Sequence, residues 1–129
     1  VNVSAHSTKR QASEIIAYTA SKAALTSVSK NLSLSLARDG ILVNTVSPGS
    51  FLSPGMVDYL ARQPAERNID PTSLTDAMRV MTEDFDAAAH LPRAGDPAEI
   101  GPVIAFVGSR INTYMTGANI NVDGGSDFC

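Results

Sequence analysis

Tyr18 and Lys22 stand four residues apart in the stretch AYTASKAAL (17–25). On a helix, positions i and i+4 share a face one turn apart, so a phenol and an ammonium would lie side by side. A neighbouring ammonium favours the phenolate, and a phenol that can give up and take back a proton is what acid–base work on a carbonyl/alcohol pair requires. The spacing alone is a weak signal, because a half-exposed tyrosine beside a solvated lysine makes the same pattern. Two other stretches add weight. Asn44-Thr45-Val46-Ser47-Pro48-Gly49 puts a Pro-Gly turn at the C-terminal end of a strand, the end at which open parallel sheets bind ligands. Gly49 would let backbone approach a flat ring closely. TGANINVDGG (116–125) has the same strand-then-glycine form.

The elements that must position these groups follow from pattern. VNVSA (1–5) reads as a strand, and the chain opens as if inside it. From Ala17 to about Arg38 the pattern is helical, with Leu25, Val28, Leu32 and Leu36 at helical spacing and Asp39-Gly40 as the stop. ILVNTV (41–46) is a nearly continuous apolar run and predicts a strand buried on both faces. SPGSFLSPG (47–55), with two Pro-Gly pairs, predicts a loop. A short helix is expected near 56–63 and a longer one near 72–88, with Pro71 at its first turn. Asp96 reads as the N-cap of a further helix, with Pro97 at its first position and Glu99 completing a capping box. ANINV (118–122) is a last strand. Strands alternating with helices predict an α/β fold with parallel strands.

Composition narrows the functional classes. At 129 residues, 43% hydrophobic and 18% charged, the chain fits one globular domain with one core. A net charge of −3 and no basic stripe argue against nucleic acid as a partner. No apolar run approaches a membrane span, and VNVSAHSTKR (1–10) lacks the layout of a signal peptide. The single cysteine, Cys129, excludes an internal disulfide, fits a reducing cytoplasm, and is read as incidental. No metal site is expected.

VNVSA with YTASK, ILVNTVSPG, RAGDPAEIG and MTGANINVDGG together run nearly end to end. In this order they resemble the C-terminal half of a short-chain dehydrogenase/reductase. The resemblance implies the last three strands of a doubly wound, Rossmann-type parallel sheet, with helices on both faces and a helical substrate lid over about 50–92. The whole chain, 1–129, would be the C-terminal part of one such domain, within a protein about twice as long. It implies an NAD(P)-dependent carbonyl reductase or alcohol dehydrogenase acting on a small-molecule substrate, with NAD or NADP as cofactor. Tyr18 would be the proton donor and acceptor. Lys22 would bond the nicotinamide ribose. Pro48, Gly49, the Phe51 backbone and the Ser53 side chain would hold the nicotinamide. Phe51 stands where the family usually has Ile or Val, and Ser53 where it often has Thr. The resemblance further implies a homodimer or homotetramer through the 17–38 helix.

Two departures bear on the site. The family's substrate-orienting serine lies thirteen residues before the tyrosine, which here is Ala5. Ser4 and Ser7 flank it. Ser4 is assigned the role, although its side chain would face away from that of Ala5, while Ser7 has the right alternation if the strand continues. His6 reads as a loop residue. The Gly-rich phosphate loop of the family is not among these residues, so the isolated chain is expected to bind no dinucleotide. In the lid, Met56, Leu60, Met78, Val80, Met81 and Phe85 either wall a pocket or bury the lid helices, and burial is the preferred reading for most of them. Seven acids against four arginines between 56 and 93 argue mildly against a 3-oxoacyl-carrier-protein reductase. The rival reading is a non-catalytic half-domain that serves only as a lid and oligomerisation module.

Overall fold

The computed structural model describes residues 1–9 and 13–128, so Cys129 lies outside the described residues. Three parallel strands, β1 (Asn2–Val3), β2 (Thr45–Pro48) and β3 (Asn119–Val122), form one sheet in that order. Asn2 and Val3 pair with Thr45 and Val46, and β2 pairs with β3 from Thr45↔Asn119 to Pro48↔Val122. Helix α1 (Ile16–Leu36) connects β1 to β2. Helices α2 (Pro54–Ala61), α3 (Leu74–Phe85) and α4 (Pro97–Gly108) lie between β2 and β3.

Side chains alternate across a strand, and this separates the two helical layers. Asn2 and Ser4 turn to α1: Asn2 Nδ2 donates to Ser29 Oγ at 2.8 Å, and the Ser4 hydroxyl lies 2.8 Å from that of Thr26. Val1 turns the other way and lies against Gly108 of α4. Helices therefore cover both faces, as expected.

The expected apolar stripe of α1 is not the face that meets the sheet. Val28 and Leu32 are 53% and 40% exposed, while Thr19, Ser29 and Ser33 are buried. The inner face runs Thr19, Lys22, Thr26, Ser29, Ser33, spaced three and four apart. Small side chains allow close approach, and the hydroxyls of Thr26, Ser29 and Ser33 donate to the carbonyls of Lys22, Leu25 and Lys30, while the Thr19 hydroxyl is buried without a partner.

The second strand is shorter and later than ILVNTV suggests. Val43 and Asn44 bind the loop before β3 instead of continuing the strand. Val43 N donates to Thr116 Oγ1, Gly117 N donates to Val43 O, and Asn44 Nδ2 reaches Met115 O at 2.6 Å while its Oδ1 accepts from Ala118 N. Gly117 has φ 70°, and a Cβ there would lie 2.7 Å from Ser33 Oγ. Ser47 and Pro48, expected in the loop, pair in the strand.

In the lid, Pro71 lies ahead of α3. The helix starts at Leu74, because the Ser73 side chain caps it by accepting from Asp76 N. Asp96 and Glu99 form the expected capping box of α4, with Pro97 at its first turn. The apolar cluster of this region is Leu60, Ala77, Val80 and Ala94, with Leu52, Met56 and Ile69 packed against it. Among the described residues, no helix is long and apolar enough to cross a membrane, and no group of three or more His, Cys, Asp or Glu could hold a metal ion.

Candidate functional site

Tyr18 sits in the first turn of α1, 48% exposed. One turn on, Lys22 places its ammonium 5.7 Å from the centroid of the Tyr18 ring. The ammonium is anchored by donating to Val3 O at 2.9 Å. The end of β1 thus aims the lysine, and α1 sets the tyrosine beside it. A cation held against an aromatic face in this way is attracted by the negative face of the ring.

Ser4 and Ser7 differ in environment. Ser4 is 2% exposed; its Oγ donates to Lys22 O at 3.1 Å and lies 2.8 Å from Thr26 Oγ1. Its hydroxyl is spent on locking β1 to α1. Ser7 is 5% exposed, and its Oγ is buried without a hydrogen-bond partner. The strand does not continue to Ser7, because His6–Thr8 turn into a short 3₁₀ helix, with Thr8 Oγ1 donating back to Ala5 O at 3.0 Å. Ser7 and Ser53 line the same cavity, of about 700 Å³, between the start of α1 and the lid. Ile15, which precedes α1, also lines it; Tyr18 lies one helical turn beyond Ile15 and is not among the lining residues.

Pro48 and Gly49 end β2 against β3, where Gly49 N donates to Val122 O at 2.9 Å. A Cβ on Gly49 would stand 2.6 Å from Asp123 Cα and Cβ, so glycine is needed here for the approach of β3. Phe51 forms a parallel bridge with Gly95, built from Gly95 N→Ser50 O and Leu52 N→Gly95 O, both 2.9 Å. In that pairing the N–H and C=O of Phe51 itself turn away from Gly95. Its ring lies over Gly95, where a Cβ would come within 2.5 Å. Ser53 caps α2 by accepting from Met56 N at 3.3 Å, which leaves its own O–H to donate. Tyr18, Lys22 and Val3 are thus brought together, as are Pro48, Gly49 and the end of β3.

The lid wall divides the apolar residues expected there. Leu60, Met78 and Val80 are buried, whereas Met56, Met81 and Phe85 line the cavity. Tyr59, whose ring centroid is 5.7 Å from that of Phe85, joins them. Arg67 ties the lid together, binding both carboxylate oxygens of Asp84 (2.9 and 3.0 Å) and Glu83 Oε2 at 2.6 Å. Tyr59 also donates to Asp84 at 3.1 Å. The Arg67 guanidinium holds the Asp84 carboxyl below its usual range. Sequence reasoning missed Thr26 and Val3 as the groups that fix Ser4 and Lys22. The three-four spacing of hydroxyl residues along α1 was the available signal for Thr26.

A family model described as enoyl-(acyl carrier protein) reductase matches residues 1–127. Oxidoreductase UcpA of Salmonella typhimurium (strain LT2) is 39% identical over 110 residues, which is 85% of this chain and 38% of that protein. A short-chain dehydrogenase family protein from Francisella tularensis superposes with a TM-score of 0.77 at 28% identity, covering 96% of this chain and 49% of that one. The angucycline C-6 ketoreductase LanV, solved with bound NADP, superposes with a TM-score of 0.73 at 27% identity, covering 99% of this chain and 43% of that one. The chain therefore spans less than half the length of these relatives. The strand order, the helices on both faces and the match over residues 1–127 agree, and this chain belongs to the short-chain dehydrogenase/reductase family.

Proposed function

We propose that the protein carrying this chain is an NAD(P)-dependent oxidoreductase that interconverts a small carbonyl compound and its alcohol, with Tyr18 moving the proton at the substrate oxygen. The observation that carries this reading is the Lys22 ammonium, anchored on Val3 O at 2.9 Å and set 5.7 Å from the Tyr18 ring centroid. In that place Tyr18 would take a proton from an alcohol or, in the other direction, give one to a developing alkoxide.

The nicotinamide cofactor, bound as NADP in the LanV structure, supplies hydride exchange at the carbonyl carbon. The residues present suit it. Lys22 has donors left for a ribose hydroxyl, the Phe51 N–H is turned outward from its bridge to Gly95, and the Ser53 hydroxyl keeps its proton while capping α2. Pro48 and Gly49 set the start of that loop. Ser7, with its unpartnered hydroxyl at the cavity beside α1, is the group we assign to the substrate oxygen in place of Ala5, because the Ser4 hydroxyl is engaged by Thr26 and the Lys22 carbonyl.

Lys22→Met in the full-length protein tests the reading. It should lower turnover by about 10²-fold or more and also weaken dinucleotide binding measured by titration. Unchanged binding and turnover would mean that the ammonium holds only Val3. The second reading, a lid and oligomerisation module, is favoured by the exposed Val28 and Leu32 on α1. It predicts self-association of the full-length protein without turnover of any carbonyl.

A further inference from the structure

We infer that the cavity beside Ser7 admits an uncharged, aryl-bearing carbonyl compound, or its alcohol, and rejects anionic ones. The inference rests on the oxidoreductase reading above and names the substrate class of that same site. Its volume of about 700 Å³ suits a small organic molecule. One wall is apolar and partly aromatic: Met56, Tyr59, Met81 and Phe85, the two rings tilted at 52° and still 36% and 40% exposed. Two thioethers and two ring faces form an adaptable surface for another ring. The Ser7 hydroxyl is more than nine-tenths buried and has no partner, so a substrate oxygen that accepts its proton removes an unsatisfied donor.

Charge then sets the class. Four carboxylates, Glu14, Glu83, Asp84 and Asp86, line the cavity with one histidine, His6, and among the described residues no lysine or arginine does. Arg67 is committed to Asp84 and Glu83 together, and so offsets one of those two charges. Glu14 accepts from the Ser13 hydroxyl at 2.6 Å, which holds its carboxyl below the usual range. A substrate carboxylate or phosphate entering here meets the net negative charge of the described lining residues and leaves its hydration for an apolar wall.

The test compares methyl 4-acetylbenzoate with 4-acetylbenzoate, two ketones of nearly one shape that differ in charge. With the full-length protein, kcat/KM for the ester should exceed that for the carboxylate by about tenfold or more at low salt. Glu14→Gln and molar salt should each narrow the gap. Equal rates, or preference for the carboxylate, in a reaction abolished by Tyr18→Phe would overturn the inference while leaving the oxidoreductase reading intact. Absence of Tyr18-dependent turnover with either ketone would count against the oxidoreductase reading. Saturation-transfer NMR with the same two compounds then decides the cavity's preference: binding of the ester alone supports it, and binding of both or of the carboxylate alone overturns it.

Discussion

The Ser4 and Thr26 hydroxyls lie 2.8 Å apart across the β1–α1 contact, and both oxygens also reach the carbonyl of Lys22. The Lys22 side chain returns to β1 by donating to Val3 O. Strand and helix are thus stitched at the residue that must hold its ammonium beside Tyr18. The stitching gives Ser4 a structural task, while the Ser7 hydroxyl is without one.

Ser4→Ala and Ser7→Ala should therefore separate. Ser4→Ala is expected to cost about 1 kcal/mol of stability, the usual worth of a buried hydroxyl's hydrogen bonds. Ser7→Ala should leave the melting temperature nearly unchanged and lower kcat by about tenfold or more. Thermal melts and steady-state kinetics on the two full-length variants check this; the reverse pattern would return the substrate-orienting role to Ser4.

Acid should loosen the lid and the start of α4. Glu99 binds both guanidinium nitrogens of Arg93 (2.7 and 2.8 Å) and accepts from Asp96 N, which pulls its carboxyl down to about 2. Asp84 is shifted the same way by Arg67. A carboxyl lowered in the folded state adds stability that is fully present above its unfolded value. For Glu99 that contribution is lost as pH falls from about 4.5 through about 2. Arg93→Ala should flatten the decline of melting temperature across that window, and identical slopes would show that the pair carries none of it.

Gly49→Ala is expected to destabilise by about 1–3 kcal/mol, because the added methyl would meet Asp123 Cα and Cβ at 2.6 Å, backbone that cannot step aside cheaply. Gly55→Ala, where nothing lies within 4 Å of a Cβ, is the matched control. Equal denaturation midpoints for the two variants would contradict the close approach of Gly49 to Asp123 at the ends of β2 and β3.

The fold was legible where local chemistry agreed with tertiary packing. Asp96, Pro97 and Glu99 announced α4, and Asp39-Gly40 announced the end of α1, where Gly40 adopts φ 72°. It was least legible where polar side chains did the packing. Val28 and Leu32 advertised a buried stripe, yet hydroxyl residues face the sheet. Val43 and Asn44 looked like strand residues but bind the 115–118 loop. At the site, the Tyr18/Lys22 juxtaposition followed from helical spacing alone. The contrast between Ser4 and Ser7 did not, because it depends on the chain leaving the strand after Val3 and turning at His6–Thr8.

The central claim is that Tyr18 moves the proton while Lys22 and the loop from Pro48 to Ser53 serve the cofactor. The most direct measurement is turnover and dinucleotide affinity of Tyr18→Phe, side by side, in the full-length protein. Loss of turnover by about 10²–10⁴-fold with dinucleotide affinity nearly unchanged is the predicted result. Near-normal turnover in Tyr18→Phe would contradict the account.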